Sequence, residues 1–318
     1  MSLLSQYRLV DVATQGYLLF VALVALALRG EHWLGLVVLH ISTIVVVDLL
    51  IRTHPPSAAR DVARTVSAAQ AGWAWLREFY PILLYAGLYR ETALVNQMLT
   101  TPRLDLWLLR ADHALLGFQP AEAFPVVYAH PWFSEFMHLS YLSYYVMVGG
   151  VGFWLSVQNR PAFRHFVTVV SLVFYACYAT YLVVPAVGPR VLFTATPERT
   201  QFIAHYGRDP RPLAIRTDGQ WARGAFTLVE EHGEIPGAAF PSSHVAVALV
   251  TAWFSWRYIR LVRWLHVCCA VTILFSTVYT RAHYAVDIIG GLAAAAVLFP
   301  AAQALHFRFG GRRYTERS

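Results

Sequence analysis

Stretches of roughly 17–25 mostly apolar residues, each long enough to cross a bilayer as a helix, recur near 12–28, 33–51, 73–90, 132–157, 164–187, 238–256, 262–280 and 284–306. Inside hydrocarbon, every backbone polar group has to be satisfied within the chain, so such runs fold as helices. The third run is interrupted by Arg77, Glu78 and Pro81 and reads either as a span or as a partly buried or re-entrant helix. The expected fold is an all-α, polytopic transmembrane helix bundle with about six to eight spanning helices. Composition agrees: 57% of the residues are hydrophobic and only 14% charged, too few to cover a soluble surface of this size. Tyr17–Leu28 resembles a signal-peptide core, but Arg8 is the only basic residue before it and a second apolar run follows at once. An uncleaved first span is the better reading.

The net charge of +7 comes from arginine alone, because the chain contains no lysine. These arginines sit in short connections rather than in a stripe interleaved with aromatics, which argues against nucleic acid. Arg52, Arg60 and Arg64 follow the second run, and Arg160 and Arg164 join the fourth to the fifth. Arg257, Arg260 and Arg263 join the sixth to the seventh, and Arg308, Arg312, Arg313 and Arg317 close the chain. With eight spans all four groups share one side, which the positive-inside rule makes cytoplasmic. Two longer stretches, 91–131 and 188–236, then face outward. In the second, arginines alternate with Glu198, Asp209, Asp218, Glu230, Glu231 and Glu234, and its length suits a lid or binding segment. Cys177, Cys268 and Cys269 lie in apolar runs and are odd in number, so no disulfide framework is expected.

Three motifs fall at helix ends that this topology brings to the same outer edge: Pro185-Ala-Val-Gly-Pro-Arg190, Phe240-Pro-Ser-Ser-His244 and Thr280-Arg-Ala-His-Tyr-Ala-Val-Asp287. In the second, Pro241 suits a first helical turn. The amides of Ser242, Ser243 and His244 would then be unpaired at the positive pole of the helix, an anion site to which the serine hydroxyls add donors. In the third, His283 and Asp287 are four residues apart and would share a helical face. A carboxylate on one imidazole nitrogen leaves the other free to attack. Arg190 and Arg281 offer planar, permanent donors suited to phosphate oxygens. The chemistry these groups can perform is phosphoryl transfer: His283 attacks phosphorus and His244 protonates the leaving oxygen. Water or an alcohol then releases the phosphohistidine. No metal or other cofactor is called for.

Together, Gly-Pro-Arg, Phe-Pro-Ser-Ser-His and His-Tyr-x-x-Asp resemble the three signature motifs of the type-2 phosphatidic acid phosphatase superfamily, over about 185–290. Asp112-x4-Gly117-x2-Pro120 and Tyr141-Leu-Ser-Tyr144 resemble secondary signatures of its inositol phosphorylceramide synthase-like (inositolphosphotransferase) branch. The resemblance implies His283 as nucleophile, Asp287 as its partner, His244 as acid, and Arg190, Ser242 and Ser243 as phosphate binders. Two positions depart from the phosphatase branch. The lysine before its first-motif arginine has no counterpart, and the arginine six residues before its nucleophile is Thr277 here, with Arg281 as the candidate replacement. These departures favour the synthase-like branch, whose substrates include phosphodiesters.

The expected organisation is an N-terminal membrane part over 1–131, a catalytic phosphatase-like core over 132–306 that includes the 188–236 loop, and a cytoplasmic tail over 307–318. The expected substrate is a lipid phosphate or phospholipid, reached from the bilayer, and the expected location is a bacterial inner membrane with the active site facing outward. Headgroup transfer to an alcohol leads slightly over hydrolysis, with a hydrolytic lipid (or polyprenyl) phosphate phosphatase as the alternative. A transporter or silent membrane protein is the remote class, because transporters gather ionisable groups near the midplane between repeated halves. His32, His40, His54, His113, His130, His138 and His266 take structural roles by default, and Asp48, Arg77, Glu78 and Glu135 are left outside the site.

Overall fold

The computed structural model describes residues 6–53, 68–98, 104–193, 196–210, 221–233 and 239–309. Arg60, Arg64, His54, Asp218, Glu234, Arg312, Arg313 and Arg317 lie outside them. Twelve α-helices and no strand occur among the described residues. They are α1 (Leu9–Leu28), α2 (Trp33–Thr53), α3 (Ala68–Met98), α4 (Asp105–Leu116), α5 (Pro120–Val127) and α6 (Pro131–Gln158). After them come α7 (Arg160–Val183), α8 (Pro197–Tyr206), α9 (Trp221–Gly233), α10 (Ser243–Tyr258), α11 (Arg263–Tyr279) and α12 (Ala285–Arg308). A short 3-10 turn, Pro189–Phe193, follows α7. The stretches around 91–131 and 188–236 are thus largely helical: α4 and α5 occupy the first, α8 and α9 the second.

The axis of the bundle is α7. It packs on α1 and α3 on one side and on α6, α10 and α12 on the other, and α11 closes against α6 and α10. Apolar and small residues make this possible: Val169, Val173, Cys177 and Tyr181 of α7 are fully buried against Val247, Val250 and Phe254 of α10 and their neighbours. The periphery is apolar as well. On α2, Val38 is 56% and Val46 62% exposed, a surface that lipid covers and water would not tolerate over such an area. Four helices, α1, α2, α7 and α12, are long and apolar enough to cross a membrane, and α11 is a shorter apolar helix. These helices fit a multi-pass membrane protein.

The interrupted third run folds as one continuous helix of 31 residues. Pro81 has no N–H for the carbonyl of Arg77, one turn back. The guanidinium of Arg8 takes that carbonyl instead, at 2.8 Å. Arg77 in turn holds buried Asp11 in a bidentate pair, and Glu78 accepts from Arg8 at 2.9 Å and Arg164 at 2.6 Å. This ionic knot gathers α1, α3 and α7 near the N-terminal end of α7, at Arg164, about 30 Å along that helix from the first motif. Asp48 pairs with Arg52 at 2.7 Å and accepts from the Tyr7 hydroxyl.

Candidate active site

The first motif begins where α7 runs out. Past Val183 the backbone needs new partners, and α4 supplies them: the Asp105 carboxylate accepts from the amides of Val187, at 3.0 and 3.1 Å, and Gly188, at 2.9 Å. Gly188 has φ of 102°, and a Cβ there would come within 2.5 Å of the Ala282 carbonyl oxygen. Only glycine permits that approach. It brings the first motif against the third, so that the Arg190 amide donates to the Arg281 carbonyl at 3.3 Å. The two arginines, 91 positions apart in sequence, are thus backbone neighbours.

The second motif is pinned on both flanks. Ala239 donates to the Ala186 carbonyl at 3.0 Å. Helix α10 then starts at Ser243 with Ser242 as N-cap, its hydroxyl accepting from the Val245 amide at 3.3 Å. Pro241 therefore precedes the cap instead of sitting in the first turn, because the capping role needs a side-chain acceptor that proline lacks. The expected row of unpaired amides is partly occupied. Ser242 N–H donates to the Asp287 carbonyl at 3.1 Å and Ser243 N–H to the Tyr181 hydroxyl at 3.2 Å. Tyr181 itself donates to the Pro241 carbonyl at 3.0 Å. Gly290 and Gly291 let α12 lie directly on this turn; a Cβ at Gly291 would meet the Ser242 carbonyl oxygen at 2.6 Å.

In the third motif, α12 begins at Ala285, so His283 is not on a helix with Asp287. Their contact comes from capping geometry. The Asp287 carboxylate turns back over the helix start, where Oδ2 accepts from the Tyr284 amide at 2.8 Å and lies 3.3 Å from His283 Nδ1. Two more orphan amides of that first turn, Ala285 and Val286, donate to Asp112 of α4 at 3.0 and 2.8 Å. Burial pushes the Asp112 carboxyl above its ordinary value, and the two amides pull it back down. Tyr284 donates its hydroxyl to Asp105 at 3.0 Å. Helix α4 thus holds the loops of the first and third motifs with two carboxylates seven residues apart. The secondary signature around Asp112 also has a physical reading, since Gly117 ends α4 with φ of 78° and Pro120 starts α5.

The result is one cluster at the C-terminal end of α7. His283 Nε2 lies 3.5 Å from His244 Nδ1, and His244 Nε2 lies 3.2 Å from the Tyr141 hydroxyl of α6. The His244 ring packs among Tyr141, Tyr144 and Tyr145, with centroids 5.1, 4.6 and 6.2 Å away. Ser242, Ser243, Arg281, His283 and Asp287 are buried, and Arg190 and His244 are half-buried. Arg281 has φ of 63°, and its Nε donates to the Ala121 carbonyl at 3.2 Å. Burial lowers its pKa to about 10; Glu122 opposes the shift and Arg223 adds to it. The seven residues singled out from the sequence therefore lie on segments that the backbone holds together, with His244, His283 and Asp287 in direct side-chain contact.

Asp105, Tyr181 and Glu122 carry no sequence signal of their own. Glu122 is buried and forms a two-pronged pair with Arg208, at 2.6 and 2.7 Å. Among the residues left outside the site, His40 pairs with Glu91 at 3.1 Å, and Glu135 accepts from the Ala222 amide at 2.6 Å.

No curated protein and no solved structure matches the chain. A family model described as PAP2 superfamily does, over residues 106–301. That span runs from the first turn of α4, one residue after Asp105, through all three motifs and most of α12, and covers more than half of the chain. The chain belongs to the PAP2 superfamily.

Proposed function

We propose that this protein is a lipid phosphatase or phosphotransferase working through a phosphohistidine on His283. The observation that carries the reading is the relay Asp287–His283–His244. With Asp287 accepting the Nδ1 proton of His283, Nε2 becomes the attacking nitrogen, and it lies 3.5 Å from His244 Nδ1. A phosphorus atom beside both rings would be attacked by Nε2, while the P–O bond to the lipid breaks and His244 gives its proton to the departing oxygen. His244, now neutral, takes a proton from water or an alcohol, whose oxygen attacks phosphorus and breaks the P–N bond. Neither step requires a metal. Arg190, Arg281 and the Ser242–Ser243 turn would hold the equatorial oxygens, the part of phosphoryl transfer that depends on positioned charge.

Headgroup transfer to an alcohol is favoured over hydrolysis. The resemblance of the Asp112–Pro120 and Tyr141–Tyr144 stretches to the synthase-like branch supports that preference. Among the described residues, Arg160 and Arg164 at the start of α7 and Arg257, Arg260 and Arg263 between α10 and α11 lie at the helix ends opposite the motifs, which supports a site facing away from the cytoplasm. Turnover by detergent-purified protein on lipid phosphates and phosphodiesters, with chelator present, tests the reading. Wild type should turn over and His283→Ala should not, and the products separate free phosphate from a transferred headgroup. Equal activity in the two proteins, or turnover abolished by the chelator, would refute it.

A further inference from the structure

Helix α9, in the long connection between α7 and α10, carries none of the three motifs, yet it is docked on them. Its first turn is fixed by the Glu135 carboxylate of α6, which accepts from Ala222 N–H at 2.6 Å. One turn on, Phe226 is buried and stands edge-on to Tyr141 at 4.9 Å and to His138 at 5.1 Å. Phe226 and Tyr141 form a cluster with Ala282. These contacts are site contacts, because the Tyr141 hydroxyl touches His244 and Ala282 is the residue between Arg281 and His283. Arg223 lies three residues before Phe226 and so shares its face of α9, the face turned to Tyr141, His138 and Ala282.

The electrostatics agree with that placement. Burial lowers the Arg223 pKa, and the Tyr279 phenol opposes the shift. Arg223 also helps to lower the pKa of Arg281. Two guanidinium groups held within electrostatic reach of each other, partly out of water, repel. An oxyanion between them turns that repulsion into attraction, and each fork offers donors matched to phosphate oxygens. Glu122 already offsets part of that repulsion at Arg281, and a bound phosphate would offset more of it.

Resting on the phosphoryl-transfer reading above, we infer that Arg223 is a phosphate-binding residue, delivered by α9 to the same phosphoryl group that Arg281 and Arg190 hold. The substrate's phosphate would then be gripped from α9 as well as from the three motif loops, with Phe226 setting the reach of Arg223. A hydrogen-bonded charge pair lost from a site costs about 1.5–3 kcal/mol, or roughly 10- to 150-fold in binding.

The test is calorimetric binding of inorganic phosphate to the full chain in detergent, which does not depend on turnover. Arg223→Met, which keeps the aliphatic stem, should weaken phosphate about 10- to 100-fold with the thermal midpoint unchanged. Arg223→Lys should recover part of the loss. Arg199→Met, which removes an exposed partner of Asp209 on α8, should bind as wild type does. Phosphate binding by Arg223→Met equal to wild type, or a loss of the same size in Arg199→Met, would overturn the assignment. Loss of turnover in His283→Ala, measured alongside, separates the two claims. A dead His283→Ala beside a normally binding Arg223→Met rejects only the role of Arg223. A fully active His283→Ala rejects the mechanism itself.

Discussion

At the scale of the residue, Asp287 does two jobs with one oxygen. Oδ2 caps the first turn of α12 through Tyr284 N–H and also faces His283 Nδ1. An asparagine could still accept at Tyr284, but it has no charge to stabilise an imidazolium and no fixed preference for the productive tautomer. Asp287→Asn is therefore expected to fold and to lose about 10²- to 10⁴-fold in kcat, the usual scale of positioned acid–base assistance. Helical circular dichroism and kcat measured on the same preparation check this; full activity in a folded variant would contradict the role of Asp287. The pairing of His283 with Asp287 was legible from their spacing, although the geometry behind it was not: a shared helical face and a capping turn both place the groups together. The amides of Ser242 and Ser243 were misread as unpaired because their acceptors, the Asp287 carbonyl and the Tyr181 hydroxyl, come from segments 45 and 62 positions away. No local pattern encodes such a partner.

At the scale of the element, α4 is the support of the site. It shows no membrane-span signal and carries none of the three main motifs, yet Asp105 and Asp112 tie together the loop after α7 and the start of α12. A period-seven pair of acids in an otherwise mixed helix is a common surface pattern, which is why its role is visible only in three dimensions. Asp112 could be flagged through the resemblance, whereas Asp105 could not. The corresponding steric element is Gly188, which combines left-handed backbone with contact to the Ala282 carbonyl. Gly188→Ala should separate the Arg190 loop from the His283 loop, lowering kcat/KM at least 10-fold and destabilising the protein by about 1–3 kcal/mol. Steady-state kinetics with a thermal melt test this, and unchanged kinetics would show that the two loops need not touch.

At the scale of the molecule, the bundle is a hydrophobic axis with charge confined to its two ends. At the N-terminal end of α7 the charges neutralise one another, as Asp11, Arg77, Arg8, Glu78 and Arg164 do. At the other end, Asp105, Asp112 and Asp287 accept from backbone amides, and His244, His283, Arg190 and Arg281 converge beside them. The helical class and the convergence of the motifs were readable from run lengths and helix order, since antiparallel neighbours bring alternate connections to one end. The continuity of α3 was not, because it depends on Arg8 reaching the Arg77 carbonyl from another helix. The N-terminal helices α1–α3 lie outside the stretch matched by the superfamily; α1 and α3 pack on the same axis, α7, as the core does, and α2 packs on α1.

The central claim is a covalent bond from His283 Nε2 to phosphorus, and trapping tests it most directly. Protein mixed briefly with a radiolabelled lipid phosphate and quenched in alkali should carry label on His283, with acid releasing it and His283→Ala unlabelled. Label that survives acid, or that remains in His283→Ala, would contradict the phosphohistidine.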